Sequence, residues 1–188
     1  SWLNTKGKPV VCRGEFRVPA SSPYLIESKS FKLYLNSFNQ TRFVDAESAR
    51  QRMVVDLSEA AGAEVSVQFH AADATYPTAP EAILIDDLDV DIRSYEPDAS
   101  LLNTQEGSHF SGWLVSHLLK SNCPVTGQPD WGSVYIHYRG PKINSESFLR
   151  YIISFRQCQD FHEHCVEKIF TDLMAKCSCE ALSVYARY

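Results

Sequence analysis

The chain has 188 residues with a formal net charge of -5 at pH 7, and hydrophobic residues make up 44% of it. This composition is typical of a soluble globular protein, and the length allows one large domain or two small ones. A negative net charge without a basic cluster excludes a nucleic-acid partner by charge, and no apolar run is long enough to span a membrane. The six cysteines are scattered and lack the paired spacing of a zinc site, which favours a reducing, cytoplasmic setting and no bound metal.

The predicted strands and helices follow the same order in the two halves of the chain. Stretches rich in β-branched and aromatic residues predict strands, and apolar residues at i, i+3, i+4 and i+7 predict amphipathic helices. In the first half these are a strand at 10–18, helices at 31–38 and 46–60, and strands at 64–71 and 81–92. After a joining segment, 93–106, the second half has strands at 110–119 and 133–139, helices at 148–155 and 161–175, and a strand at 181–188.

The residues of the first predicted helix recur in the second half at a constant separation. Ser30, Phe31, Tyr34, Ser37, Phe38 and Gln40 return as Ser147, Phe148, Tyr151, Ser154, Phe155 and Gln157. We therefore predict two copies of one α+β unit, divided as residues 1–94 and 95–188. The counterpart of strand 110–119 would precede residue 1, and that of strand 81–92 would follow residue 188. We accordingly expect a chain that is trimmed at both ends.

A loop at residues 121–131 carries the strongest candidates for chemistry. Proline and glycine residues keep it out of regular structure, and ordered loops often hold functional side chains. Within it, the Cys123 thiol is a candidate nucleophile and the Asp130 carboxyl group is a candidate proton donor. The alternative is a buried, inert cysteine and a turn-forming aspartate.

The two copies differ where this chemistry would occur. Aligning them places Leu3 opposite Cys123 and Val10 opposite Asp130, so the first copy lacks both reactive groups. The lysines of the first copy's leading helix are in turn absent from the second copy. This difference predicts one composite site, with the nucleophile and the acid from the second half and the cations from the first.

Three segments of the chain, taken in order, carry a family resemblance. They are IESKSFKLYL at 26–35, CPVTGQPD at 123–130 and FHE at 161–163. Together they resemble the two-domain form of 7-cyano-7-deazaguanine reductase, the family of NADPH-dependent nitrile reductases of queuosine biosynthesis. The resemblance covers essentially the whole chain and implies two tandem tunnelling-fold domains, like those of GTP cyclohydrolase I, each an antiparallel sheet carrying two helices. It also implies a homodimer formed through sheet edges, and a small-molecule substrate rather than a nucleic acid.

The same resemblance implies the roles of the catalytic residues. Cys123 attacks the nitrile carbon to form a covalent thioimidate, Asp130 protonates the nitrogen, and His162 lies beside the substrate as a further catalytic residue. Two hydrides from two molecules of NADPH then carry the thioimidate to a primary amine, without a metal. A thiol suits the first step because it ionises near pH 8.5 and its pKa can be tuned lower.

For recognition of the deazaguanine, the resemblance points to Glu163, with Glu27 and its neighbours Ile26 and Ser28 as further contacts. A carboxylate can accept hydrogen bonds from two adjacent N–H groups on the edge of the base. The alternative for Glu163 is structural, because residues 160–163 have the spacing of a capping box at a helix start.

For NADPH, the resemblance points to Ser28, Lys29, Ser30 and Lys32, where helix-start amides and ammonium groups would hold the phosphates. The alternative is a solvated helix face whose charges bind nothing. The chain has no G-x-G-x-x-G fingerprint, so we expect no Rossmann site. In the family, an arginine- and glycine-rich segment follows the strand that ends here at Tyr188, and it contributes to the cofactor site.

Two other functions compete with nitrile reduction. A zinc-dependent, cyclohydrolase-like hydrolase would need a cluster of cysteine and histidine ligands near Cys123, which the sequence does not offer. A catalytically inactive purine-binding scaffold of the tunnelling fold would have an unreactive Cys123. Metal content separates the reductase from the first alternative, and thiol reactivity separates it from the second.

Overall fold

The computed structural model describes residues 1–188. The chain separates into two compact units, Ser1–Thr78 and Ala79–Tyr188. Each unit contains two helices and antiparallel strand pairs, which confirms the α+β class. The units are defined by spatial contacts, whereas the division into 1–94 and 95–188 follows the sequence repeat and stays a prediction.

The first unit holds two small antiparallel sheets and two helices. β1 (Trp2–Leu3) pairs with β2 (Pro9–Val10), and β3 (Arg13–Arg17) pairs with β4 (Ser66–His70). Helix α1 spans Ser28–Ser37 and helix α2 spans Ala46–Ala61. Helix α2 ends where Gly62 adopts a left-handed conformation with φ of 66°, which costs glycine no steric penalty. The core of this unit consists of Phe38, Met53, Leu57, Ala61, Val65 and Val67.

The second unit is built on one four-stranded sheet. Its order is β5 (Ile83–Leu84), β6 (Thr104–Asn122), β7 (Pro129–Ile143) and β8 (Ala181–Arg187), with β5 parallel to β6 and the other pairs antiparallel. Helices α3 (Ser145–Ser154) and α4 (His162–Cys177) pack against the sheet through a larger core than that of the first unit. No helix of the chain combines the length and the apolar character that a bilayer crossing requires.

Two predicted elements between the repeats differ from the structure. The expected strand at 81–92 is reduced to the two residues of β5. The expected joining segment at 93–106 contains a short 3₁₀ helix, Ala99–Leu101, and its last three residues already belong to β6. The start of β6 lies outside the predicted strand at 110–119, because its pairing with β7 shifts register between Thr104 and His109, which interrupts the alternating pattern.

The duplication predicted from sequence is visible in matching hydrogen bonds. The Tyr34 hydroxyl donates to Asp56 of α2 at 2.9 Å, and the Tyr151 hydroxyl donates to Asp172 of α4 at 2.7 Å. The first helix of each unit is followed by a 3₁₀ turn, at Phe38–Gln40 and at Phe155–Gln157. Each aromatic–carboxylate bond ties the first helix of its unit to the second, so the repeated residues stabilise the same helix pair twice.

The predicted alignment of the two hairpin loops is wrong by one residue at its start. The Leu3 amide donates to Thr41, and the Asn122 amide donates to Cys158, so Leu3 corresponds to Asn122. Asn4, rather than Leu3, is therefore the counterpart of Cys123. The reason is loop length, because the first turn closes between residues 4 and 8 and the second between residues 123 and 128.

Candidate active site

The β6–β7 hairpin determines where Cys123 and Asp130 lie. Cys123 directly follows the last residue of β6, and Asp130 is the second residue of β7, opposite Ser121. Residues directly opposite in an antiparallel pair project from the same face of the sheet, and here Ser121 is fully buried on the face that the helices cover. The turn itself is closed by a hydrogen bond of 2.9 Å from the Cys123 amide to Gln128. The thiol residue is only 1% exposed, so it is buried as the inert-cysteine alternative also expects.

The segment before α4 is attached to the end of this hairpin. The Asn122 amide donates to the carbonyl of Cys158 at 2.8 Å, and the Asp160 amide donates to the carbonyl of Asn122 at 3.2 Å. These bonds form a parallel bridge between Asn122 and Gln159. As a result, the first turn of α4 begins beside the Cys123 loop, although the two are far apart in sequence.

His162, the first residue of α4, contacts Asp130. Its Nε2 lies 3.0 Å from Oδ2 of Asp130, and the two side chains are only 20% and 16% exposed. The direction of approach does not meet hydrogen-bond geometry, and Nε2 is a buried polar atom without a hydrogen-bond partner. The structure therefore brings the predicted proton donor and the predicted histidine together at ion-pair distance.

Glu163 follows in the same turn and has no capping role. The Asp160 amide, which a capping box would direct to Glu163, donates instead to Asn122, and α4 has no side-chain cap at Phe161. The capping-box alternative is therefore wrong. One carboxylate oxygen of Glu163, Oε2, is buried without a hydrogen-bond partner. Buried polar atoms almost always have a hydrogen-bond partner, so these two adjacent residues each carry an atom whose hydrogen-bonding capacity a polar ligand would satisfy.

Glu27 has the capping role that Glu163 lacks. It precedes α1 and accepts hydrogen bonds from the amides of Lys29 and Ser30 at 2.7 and 2.8 Å. Burial raises the pKa of Glu27, but the amide bonds outweigh it and hold the pKa below its ordinary value. The amides at the start of α1, which are the expected ligands of the cofactor phosphates, therefore already donate to a carboxylate. Ile26 packs against the core of the first unit.

The lysines of α1 remain suited to an anionic ligand. Lys29 and Lys32 line a cavity of about 620 Å³ at one side of α1. Its other lining residues are Ser1, Leu33, Leu35, Asn36 and Asn39. Ammonium groups complement phosphate as point charges, so these two residues fit a phosphorylated cofactor. Ser28 and Ser30 lie in the capped turn next to them.

The predicted residues thus lie in two groups. The first unit carries Ile26, Glu27 and the α1 residues, and the second carries Cys123, Asp130, His162 and Glu163. Their joint use in one composite site stays a prediction. No group of three or more histidine, cysteine, aspartate or glutamate side chains is arranged to hold a metal ion.

Comparison with known proteins identifies the kind of enzyme that has this scaffold. A model described as "Nitrile reductase, 7-cyano-7-deazaguanine-reductase N-term" matches residues 1–69, and a model described as "QueF-like protein" matches residues 129–188. The nitrile reductases are therefore the class to which both ends of the chain are similar.

Curated relatives make the family specific. The chain is 54% identical to the NADPH-dependent 7-cyano-7-deazaguanine reductase of Coxiella burnetii, 56% to that of Chromohalobacter salexigens and 53% to that of Azoarcus sp.. Each match covers 100% of this chain and 68% of the relative. The chain belongs to the 7-cyano-7-deazaguanine reductase family, and the resemblance found in the sequence is confirmed.

Proposed function

We propose that this protein reduces the nitrile of 7-cyano-7-deazaguanine to the primary amine of 7-aminomethyl-7-deazaguanine, using NADPH, in queuosine biosynthesis. Its family membership supports the activity and the cofactor. The single structural observation that supports the site is the presence of two buried polar atoms without a hydrogen-bond partner at the start of α4, Nε2 of His162 and Oε2 of Glu163. They lie in the turn that is attached to the Cys123 hairpin.

Substrate recognition is assigned to Glu163. A deazaguanine presents adjacent N–H donors on its pyrimidine edge, and a carboxylate accepts two such bonds in one plane. The buried Oε2 has already lost its contact with water on folding. A base that donates a hydrogen bond to it therefore offsets this desolvation cost. Ile26, Glu27 and Ser28 are proposed as further substrate contacts from the first unit.

The covalent step is assigned to Cys123 and Asp130. The Cys123 sulfur attacks the nitrile carbon as the thiolate, one C–N π bond breaks, and Asp130 gives its proton to the nitrogen, which yields a neutral thioimidate on Cys123 and an Asp130 carboxylate. His162 is placed to hold or relay this proton, because its Nε2 lies 3.0 Å from the Asp130 carboxylate. Cys123 itself is only 1% exposed, which keeps water away from the thioimidate, although residues 124–129 of the loop are exposed.

The cofactor is assigned to α1 of the first unit. When bound, NADPH supplies the hydrides that reduce the nitrile carbon twice. Lys29 and Lys32 would hold its phosphates, since they line the cavity beside this helix. Ser28 and Ser30 are proposed to contribute hydroxyl groups rather than amides, because Glu27 already binds the Lys29 and Ser30 amides.

The larger assembly follows from the same proposal. The two repeats, 1–94 and 95–188, are assigned to tandem tunnelling-fold domains, and the matching hydrogen bonds of Tyr34 and Tyr151 support their common origin. We expect a homodimer formed through sheet edges, and a cytoplasmic location is supported by six cysteines that form no disulfide.

Intact-protein mass spectrometry tests this function. The chain is incubated with 7-cyano-7-deazaguanine without NADPH, alongside Cys123→Ala and the matched control Cys12→Ala, which removes a partly exposed thiol of the first unit. We expect an adduct of the substrate's mass in the wild type and in Cys12→Ala, and none in Cys123→Ala. If calorimetry shows binding but no adduct forms, covalent nitrile reduction is wrong and the purine-binding scaffold is the better description.

A further inference from the structure

Tyr188 contacts the candidate site without belonging to any of the predicted roles. Its ring lies against the imidazole of His162, with ring centroids 3.8 Å apart and the planes 4° from parallel. We infer that Tyr188 is a positioning residue, which holds His162 in the orientation where Nε2 faces Asp130. The inference rests on the proposed function and adds a residue to it.

The stack restricts the imidazole in a way that ordinary packing does not. Rotation about the bond that carries a histidine ring is normally soft, with a broad range of allowed angles. With another ring parallel to it at 3.8 Å, any substantial rotation would drive imidazole atoms into the tyrosine. Nε2 of His162 is therefore kept 3.0 Å from Oδ2 of Asp130.

The fold makes room for this stack at Gly132. Tyr188 follows β8, whose register pairs Ser133 with Arg187, so the next residues along the two strands are Gly132 and Tyr188. A Cβ atom on Gly132 would lie 3.0 Å from Cε1 and 3.2 Å from Cδ1 of the Tyr188 ring. The backbone of Gly132 is not left-handed, so glycine is needed here for packing and not for its conformational freedom.

The chemistry of the surroundings favours a neutral ring in this place. Although 44% of Tyr188 is exposed, partial desolvation raises the pKa of its hydroxyl, and the neighbouring Cys165, Glu163 and Asp130 raise it further. The phenol therefore stays protonated at neutral pH and adds no charge beside the carboxylates. What it contributes to the proposed proton transfer is the position of His162.

Replacement of the ring gives the first test. At saturating 7-cyano-7-deazaguanine, we expect Tyr188→Leu to form the Cys123 adduct about tenfold more slowly, because the imidazole is no longer held. The half-saturating concentration should change by less than about threefold, since substrate recognition is assigned elsewhere. Tyr188→Phe keeps the stack and should stay within about twofold of the wild type.

A matched control and a spectroscopic readout separate positioning from general damage. Tyr185→Leu removes a ring from β8 itself, on the opposite face, where its ring centroid lies 5.7 Å from that of Tyr135; adduct formation should be unchanged. In NMR spectra, the ring-current shift of the His162 imidazole protons should vanish in Tyr188→Leu and persist in Tyr188→Phe. Gly132→Ala should displace the Tyr188 ring and shift the same His162 signals while Tyr188 itself is unchanged in sequence.

The outcomes are separable from those of the proposed function. Wild-type adduct rates and unchanged His162 signals in Tyr188→Leu would overturn the positioning role while nitrile reduction stands. A Tyr188→Phe variant as slow as Tyr188→Leu would also overturn it, because the hydroxyl and not the stack would then be responsible. If the wild type forms no adduct, the proposed function fails, and the NMR comparison alone decides whether Tyr188 orients His162.

Discussion

Glu47 and Glu163 occupy the same position of the duplicated scaffold, and only Glu47 has both of its carboxylate oxygens hydrogen-bonded. Each is the second residue of a 16-residue helix, α2 and α4 respectively. Arg50 binds both oxygens of Glu47, at 2.6 and 2.8 Å, and Gln51 donates a third bond at 2.9 Å. The bonds from Arg50 and then Gln51 lower the pKa of Glu47 to about 2. At the start of α2, the carboxylate of Glu47 is thus bound by side chains of the same helix. At the start of α4, Oε2 of Glu163 has no hydrogen-bond partner.

This contrast predicts the effects of one substitution made at both positions. In a Cys123→Ala background, which prevents the adduct, Glu163→Gln should weaken binding of 7-cyano-7-deazaguanine by about 100-fold, because an amide NH₂ would face the N–H donors of the base. Glu47→Gln should leave the dissociation constant unchanged. Isothermal titration calorimetry measures both. Equal affinities in the two variants would show that Glu163 does not contact the substrate.

Asp130 is predicted to act in the chemical step more than in binding. Asp130→Asn keeps the size of the side chain but cannot donate an acidic proton, so adduct formation should slow by about 100-fold while the dissociation constant stays within about threefold. Asp98→Asn, at an exposed 3₁₀ cap of the same unit, serves as the control. Quenched samples analysed by mass spectrometry give the rates. A wild-type rate in Asp130→Asn would remove this residue from the proton transfer.

The repeated tyrosines predict unequal losses of stability. Tyr151 is fully buried, and its bond to Asp172 is 2.7 Å long, so Tyr151→Phe should lower the free energy of unfolding by about 1–2 kcal/mol. Tyr34→Phe removes the corresponding 2.9 Å bond at a half-buried site and should cost less than half as much. Urea denaturation followed by circular dichroism tests the order. A larger loss from Tyr34→Phe would contradict it.

Cys177 predicts a loss of stability at alkaline pH. Burial, and then the neighbouring Cys179, raise the pKa of this thiol well above its ordinary value, to about 12. Its contribution to stability is therefore complete below about pH 9 and is lost as the pH rises toward 12, because only the unfolded chain then releases the proton. The slope should reach about 1.4 kcal/mol per pH unit. Urea denaturation between pH 8 and 10.5 should show a shallower slope for Cys177→Ala, and equal slopes would refute the prediction.

Much of the scaffold follows from the sequence alone. The apolar residues recur at helical spacing and predict helices α1 to α4, and the matching patterns around Tyr34 and Tyr151 predict the duplication. Local patterns of this kind depend on neighbours within two turns of the chain. These patterns can therefore be recognised without knowledge of the tertiary structure.

The tertiary structure decided which side chains meet. The spacing of residues 160–163 allows a capping role for Glu163, yet Glu27 caps a helix and Glu163 does not, because the Asp160 amide donates to Asn122 in the Asn122–Gln159 bridge. It also missed Tyr188, because its stack on His162 depends on the β7–β8 register and on a glycine across the strand. No local pattern contains these contacts. They arise between segments distant in sequence, whose pairing is determined by the sheet as a whole.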